Sequence, residues 1–357
     1  MRISEKSKQF LLELLNTNSP SGMEEEIQGK WLNYMKDYAD KIDTDIHGNA
    51  YAILNPDADF KVLLAGHCDE IGFVIKRIDS DGFVYFGKVG GISHKIAPGM
   101  KVNILGNGGK NILKGIIGAP AEHQGGLEDK FTMDNLYIDL GAESDKELKD
   151  LMRVGDYAVY DRNSEFLRND KLSGRALDNR TGAFIAAEVI KRLKGKKLNV
   201  GVYSVSTTGE EVGLQGAYSA GSNVEPDIAI ATDVTFATDY PSIDKSKHGE
   251  YKLGGGPVIA LGAPINKKVN SLLEEAAKEL KIDLQYELTP STTGTDADKL
   301  RYTGKGVAIS LVSLPLRYMH SPVETISMKD LEQEIDMIVK FIENLKGDED
   351  LRPVIVK

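Results

Sequence analysis

The chain predicts an α/β protein with a small all-β domain inserted into it, and three observations carry that prediction. Helical and strand-like segments alternate up to about residue 68 and again from about residue 165. Between them, from Ile71 to Tyr160, short alternating apolar segments sit among glycine-rich turns, with no long amphipathic helix to interrupt them. A length of 357 residues also exceeds what one ordinary core serves. The expected division is residues 1–68 and 165–357 as the α/β domain, with 69–164 as the insertion.

The elements follow in order. Ser21-Gly22-Met23-Glu24 has the spacing of a capping box, and Trp31, Leu32, Met35 and Tyr38 continue it with helical periodicity. Strands are expected around 43–46 and 50–53, turning at His47-Gly48-Asn49. Lys61-Val62-Leu63-Leu64-Ala65 is a short apolar run of the kind found in a buried central strand. After the insertion, a helix is expected from Asp178 toward Leu193, then strands at 201–206 and 227–231. A strand at 258–261 precedes a helix over Ile265–Leu280. A strand at 307–312 and a final helix from Met328 to Leu345 complete the chain.

Composition narrows the function. Hydrophobic content of 41% and charged content of 27% are ordinary for a globular protein. Lys+Arg 44 against Asp+Glu 54 gives a net charge of -10, which argues against nucleic acid or an anionic membrane as a partner. No apolar run approaches the roughly 18–20 residues of a membrane span. The segment Met1–Lys6 lacks the apolar stretch of a secretory signal, and the single cysteine, Cys68, allows no internal disulfide. A cytoplasmic location is the expectation.

Five places carry chemistry, each at the end of an expected strand or the start of a helix, where sites form in open α/β sheets. In Ala65-Gly66-His67-Cys68-Asp69-Glu70, His67 and Asp69 share a strand face, so the carboxylate can hold the second nitrogen of a metal-bound imidazole. The same pair also reads as a core histidine satisfied by a nearby acid. Asp178 stands at a helix start, as a cap or as a rigidly held ligand. Glu210 and Glu211 follow directly on a buried strand between glycines, unlike a solvated charge run, which mixes signs along a helix face. Adjacent glutamates can divide the work, one binding metal while the other acts as a base. Asp233 ends an apolar strand and needs a partner, whether a cation, an arginine or backbone amides. His320 follows the last core strand in a turn stiffened by Pro322, where a surface imidazole is the alternative. Together, two histidines and three carboxylates match a site for two divalent ions, with Asp178 the natural bridge.

At these motifs the sequence resembles the M42 family of metallo-aminopeptidases, the glutamyl and tetrahedral aminopeptidase type, some of whose members carry an endoglucanase label. The matching stretches are Gly66-His67-Cys68-Asp69-Glu70-Ile71-Gly72, Ala176-Leu177-Asp178-Asn179-Arg180, Glu210-Glu211-Val212-Gly213-Leu214, Thr232-Asp233-Val234 and Arg317-Tyr318-Met319-His320-Ser321-Pro322. The resemblance implies a zinc-peptidase-like catalytic domain, a mixed sheet sandwiched by helices, and a small β-barrel-like insertion that drives dimerisation. It implies one metal on His67, Asp178 and Asp233 and a second on Asp178, Glu211 and His320. Asp69 then orients His67, Glu210 is the general base, and Gly294-Thr295-Asp296 lines the substrate site. Zn²⁺ or Co²⁺ is expected, with Mn²⁺ also accepted. Peptides are the implied substrates, and dimers that assemble into a tetrahedral dodecamer the implied assembly. One departure is the loop Pro120-Ala121-Glu122-His123-Gln124-Gly125-Gly126, which is not of the Pro-Pro-His type. Two rival readings are a dinuclear amidohydrolase of other specificity (carboxypeptidase or deacylase) and a glycosidase. Adjacent Glu210 and Glu211 are badly placed to flank one glycosidic bond.

Overall fold

The computed structural model describes residues 3–128 and 130–354, so Met1 and Arg2 of the N-terminal segment considered above lie outside the described residues. Helices Glu5–Asn16 and Glu25–Met35 come first. The expected capping box does not form. The Ser21 hydroxyl instead donates to Asp69 at 2.7 Å, and the helix begins at Glu25 without a side-chain cap. A carboxylate 48 positions away competes successfully with the local backbone for that hydroxyl.

Strands β1 (Lys41–Thr44) and β2 (Ala50–Leu54) form a hairpin, and β3 (Lys61–His67) runs buried through the centre. The chain then leaves the sheet. β4 (Gly72–Ile78), β5 (Val84–Val89), β6 (Lys101–Leu105), β7 (Asn111–Ile117), β8 (Ile138–Asp139) and β9 (Tyr157–Tyr160) close into a barrel in the order β4-β5-β8-β7-β6-β9. Its core is set by Phe73, whose ring meets Phe86 at 4.8 Å and Tyr160 at 5.4 Å, edge to face.

β10 (Glu165–Leu167) and β11 (Lys171–Gly174) lead back to the α/β layers. There β12 (Gly201–Thr207), β13 (Ile228–Phe236), β14 (Val258–Leu261), β15 (Gln285–Leu288) and β16 (Ala308–Leu316) complete an eight-stranded mixed sheet, ordered β1-β2-β12-β3-β13-β16-β14-β15. β16 runs four residues beyond its expected end, because it pairs with β13 as far as Phe236↔Leu316. β17 (Glu324–Ser327) joins β10 and β11 in a three-stranded sheet absent from the sequence reading.

Alternation along the central strands explains the layers. Val62, Leu64, Ile228 and Ile230 pack with the helices Glu5–Asn16, Glu25–Met35, Leu177–Leu193, Lys267–Leu280 and Met328–Asn344. Leu63, Ala65, Ala229 and Ala231 face the opposite way, toward Gln215–Val224 and Ala297–Leu300. Strands buried on both faces read as continuous apolar runs rather than alternating ones, and the sheet is sandwiched by helices as expected.

Candidate metal centre

The site forms where the parallel strands β12, β3, β13 and β16 end together. His67 is the last residue of β3, in register with Thr207, the last of β12. Asp233 lies two residues past the last β3–β13 pair, Ala65↔Ala231, and opposite Ser313 of β16. Glu210 and Glu211 follow β12 after a short turn. Asp178 enters from the start of the helix Leu177–Leu193, where it and Asn179 have non-helical backbone angles, so its side chain is not a cap. That helix reaches the sheet because of two glycines in contact. A Cβ at Gly66 would stand 2.2 Å from the Gly182 carbonyl carbon, and one at Gly182 would stand 2.3 Å from the Thr232 oxygen.

Asp178 is central. Its Oδ1 lies 3.2 Å from His67 Nε2 and its Oδ2 lies 3.3 Å from His320 Nε2. Glu210 Oε2 is 3.6 Å from His67 Nε2, and Glu211 Oε1 is 3.6 Å from His320 Nε2. Two groups could each hold an ion, His67–Asp178–Glu211 and His67–Glu210–Asp233, with ligand atoms within 4.8 Å of one another. Metal bonds of about 2.0–2.2 Å in a tetrahedron set ligand–ligand edges of about 3.3–3.6 Å, the spacing seen here. All five expected ligands and Glu210 therefore converge, although Glu210 falls inside one ligand-like group, where a base-only role does not by itself place it.

Electrostatics agree with a cation-binding purpose. Burial, then the charges of Asp233, Asp296 and Glu211, push Glu210 up to about 10 against the pull of His67. Burial and Asp178 push Glu211 up to about 8. Burial alone would raise Asp178, but hydrogen bonds from His320 and His67 hold it well below the usual carboxylate range. The Asp178 hydrogen bond carries His320 up to about 9. His67 is also raised, since Glu210, Asp178 and Asp69 overcome its burial. Buried carboxylates this close are mutually repelling unless cations compensate them.

Asp69 lies beside His67 and also contacts the glutamate turn. Its carboxylate lies 3.5 Å from His67 Nδ1, while its backbone oxygen is closer, at 3.2 Å. The same carboxylate accepts the backbone N–H of Glu210 at 3.1 Å and of Glu211 at 3.3 Å. One buried acid thus ties the β3 end to the glutamate turn. Below it, buried Arg180 donates to Glu70 at 2.8 Å and to the Cys68 carbonyl at 3.1 Å, fixing the β3 end to the helix that carries Asp178.

Three contributions were missed in the sequence. Glu324 Oε1 accepts the His320 N–H at 2.8 Å, and its Oε2 accepts the Asp178 N–H at 3.1 Å. This carboxylate holds the backbones of two expected ligands at once, and His320 has a left-handed φ of 59° that such a clamp stabilises. The barrel supplies Gly90 and Gly91. His320 Nδ1 meets the Gly91 carbonyl at 3.2 Å, and a Cβ on Gly91 would stand 2.5 Å from that same nitrogen. Glycine pairs are plain in the sequence, but nothing local ties this one to His320.

A cavity of about 710 Å³ opens over the cluster, lined by all five expected ligands and Glu210, with Gly294 and Thr295 on its wall. Asp296 is not on that wall. It is 1% exposed and accepts the Thr207 hydroxyl at 2.5 Å, behind Glu210. Two larger clefts, of about 970 and 1000 Å³, flank residues 349–353, but neither is lined by a histidine. The loop 120–126 is mostly exposed and does not reach the cavity wall of the single chain.

Comparison with known proteins gives the family. The profile described as M42 glutamyl aminopeptidase matches residues 48–337. A putative aminopeptidase of Acetivibrio thermocellus is 37% identical over 90% of this chain and 94% of its own length. A lysyl aminopeptidase of Pyrococcus furiosus is 33% identical over 88% of this chain and 90% of its own. Among solved structures, the TET1 peptidase of Pyrococcus horikoshii, which can assemble into a tetrahedron or a large octahedral shell, superposes with a TM-score of 0.83 at 31% identity, covering 95% of this chain and 100% of its own. The chain belongs to the M42 aminopeptidase family and is a peptide hydrolase.

Proposed function

We propose that the protein removes the N-terminal residue of peptides with two divalent ions bridged by Asp178. His67 and Asp233 would complete one ion's shell, and Glu211 and His320 the other's. The observation that carries this reading is the placement of the two Asp178 oxygens, 3.2 and 3.3 Å from two imidazoles on opposite sides. When bound, the ions would acidify a water and polarise the scissile carbonyl. Glu210 takes a proton from the attacking water and delivers it to the amine as the C–N bond breaks, giving one free amino acid and a shortened peptide. Asp69 keeps Glu210 and His67 in place, and Gly294 and Thr295 border the path along which the peptide enters. Asp296 acts from behind Glu210, where its charge favours a proton on that base.

Zinc or cobalt is the proposed metal, with manganese compatible with the same donors. The proposed assembly is a homo-oligomer built on barrel contacts, a dimer or a tetrahedral dodecamer. Ile112, Ile116 and Val154, each at least half exposed on the barrel, supply apolar surface for it. No described helix is long and apolar enough to cross a membrane. The proposed compartment is the cytoplasm, on the strength of composition.

The test is a panel of aminoacyl anilides and N-acylated amino acids, assayed after chelation and after adding back Zn²⁺, Co²⁺ or Mn²⁺. The expected result is chelator-sensitive cleavage of substrates with a free α-amino group only. Turnover of the N-acylated substrates alone would favour the deacylase reading and reject this one.

A further inference from the structure

One acid on the cavity wall belongs to neither ion group. Glu287 projects from β15, in register with Ala260 of β14. It sits on the side of the cavity formed by β13 and β16. Its Oε2 accepts the Thr235 hydroxyl at 2.5 Å and its Oε1 the Ser313 hydroxyl at 3.3 Å. Thr235 lies two residues beyond Asp233 on β13, so the two share a sheet face, and Ser313 is the residue opposite Asp233. Glu287 is therefore placed one step along the wall from the ion cluster.

The charge balance of the cavity is what makes it informative. Asp178, Glu210, Glu211 and Asp233 carry charge that two divalent ions would compensate. Among the described residues, Glu287 has no such partner. Among the described residues no lysine or arginine lines the cavity, and no ion pair or hydrogen bond joins Glu287 to His248, the one lining imidazole outside the cluster. Burial raises the Glu287 carboxyl above its ordinary value, against the pull of its two hydroxyl donors. Leu288, Leu311, Phe236 and Tyr251 stand in the same wall. A site with an apolar approach and an unneutralised carboxylate at its side suits a long aliphatic stem that ends in a cation.

We propose that Glu287 selects peptides whose N-terminal side chain is positively charged, lysine or arginine. This rests on the aminopeptidase reading above. Glu287 contacts the substrate side chain and takes no part in bond cleavage.

The experiment compares lysyl, arginyl, norleucyl and glutamyl p-nitroanilides on the metal-loaded protein and on Glu287→Gln. Norleucine keeps the lysine stem without the ammonium, and glutamine can keep the contacts with Thr235 and Ser313. The wild type should favour lysyl over norleucyl by about 30-fold or more in kcat/KM, the order of a desolvated charge pair. In the variant the lysyl value should fall close to the norleucyl value, with norleucyl activity changed by less than about 2-fold. Norleucyl activity also reports that the variant is folded. The proposal is overturned if the wild type cleaves norleucyl or glutamyl substrates as well as lysyl, or if the variant loses all substrates equally; the aminopeptidase reading survives both outcomes. No turnover of any anilide under any metal would overturn both.

Discussion

At the ends of the sheet strands, polar side chains lie beneath two helical layers, whereas around the barrel the charged residues Lys76, Arg77, Lys88, Lys101 and Lys114 face water. The difference follows from how each part closes. The sheet is buried on both faces, so a carboxylate at a strand end is desolvated and must be answered by a cation or by donors. Asp69, Asp178 and Asp233 are each less than a tenth exposed. The barrel closes on its own core, leaves its lysines and Arg77 solvated, answers its buried Asp156 with the backbone N–H groups of Asn107, Gly108 and Arg153, and presents the backbone of Gly90 and Gly91 to the site. Chemistry concentrates where burial makes charge expensive, and the barrel's contribution to the site is the shape of its Gly90–Gly91 backbone.

Substitutions on the two sides should separate sharply, and the largest effect belongs to the bridge. Asp178→Asn should lose at least one ion per subunit and cut turnover on the order of 1000-fold or more. Glu210→Gln should lower turnover by about 100- to 10000-fold while both ions remain. Metal analysis beside steady-state rates checks the pair, and full metal retention in Asp178→Asn would remove the bridging role.

Next comes the contact where the barrel touches the site. Gly91→Ala drives a methyl into the His320 ring and should weaken metal binding or activity about 10- to 100-fold, the range for groups that orient a ligand. A variant with unchanged metal affinity and rate would show that the seam does not position His320.

Metal affinity should also follow pH in a definite direction. In the metal-free protein, Glu211 at about 8 and His320 at about 9 hold protons at neutrality. Binding must expel them, so affinity rises as pH climbs from 6 toward 9 and protons are released. Competition titrations at several pH values check this, and a flat profile contradicts it. The smallest effect on chemistry lies farthest from the sheet. Ile116→Lys on the barrel should lower the mass seen by light scattering, with turnover per subunit within about 2-fold of wild type. A loss of activity matching Gly91→Ala would mean that assembly completes the site.

How much was legible depends on the range of the interaction. His67 and Asp233 end apolar runs, and the glycine-flanked Glu210–Glu211 pair follows one, so their strand-end placement is local information. The barrel was legible for the same reason, through its short alternating segments. Long-range contacts were not. The Gly91–His320 contact joins residues 229 apart, and the Ser21–Asp69 bond that displaces the expected capping box spans 48. Glu324 stands four residues past His320, and only the fold sets its two oxygens on the His320 and Asp178 amides. Asp296 was expected on the substrate path through the family resemblance of its segment, but it accepts the Thr207 hydroxyl and lies under the wall. Glu287 carries no motif at all, and only the fold brings it beside Asp233.

The most direct measurement of the central claim is anomalous diffraction from crystals loaded with zinc or cobalt. Two peaks about 3.5–4 Å apart, one on each side of the Asp178 carboxylate, are the predicted result. A single peak, or peaks that leave Asp178 bound to one ion only, would contradict it.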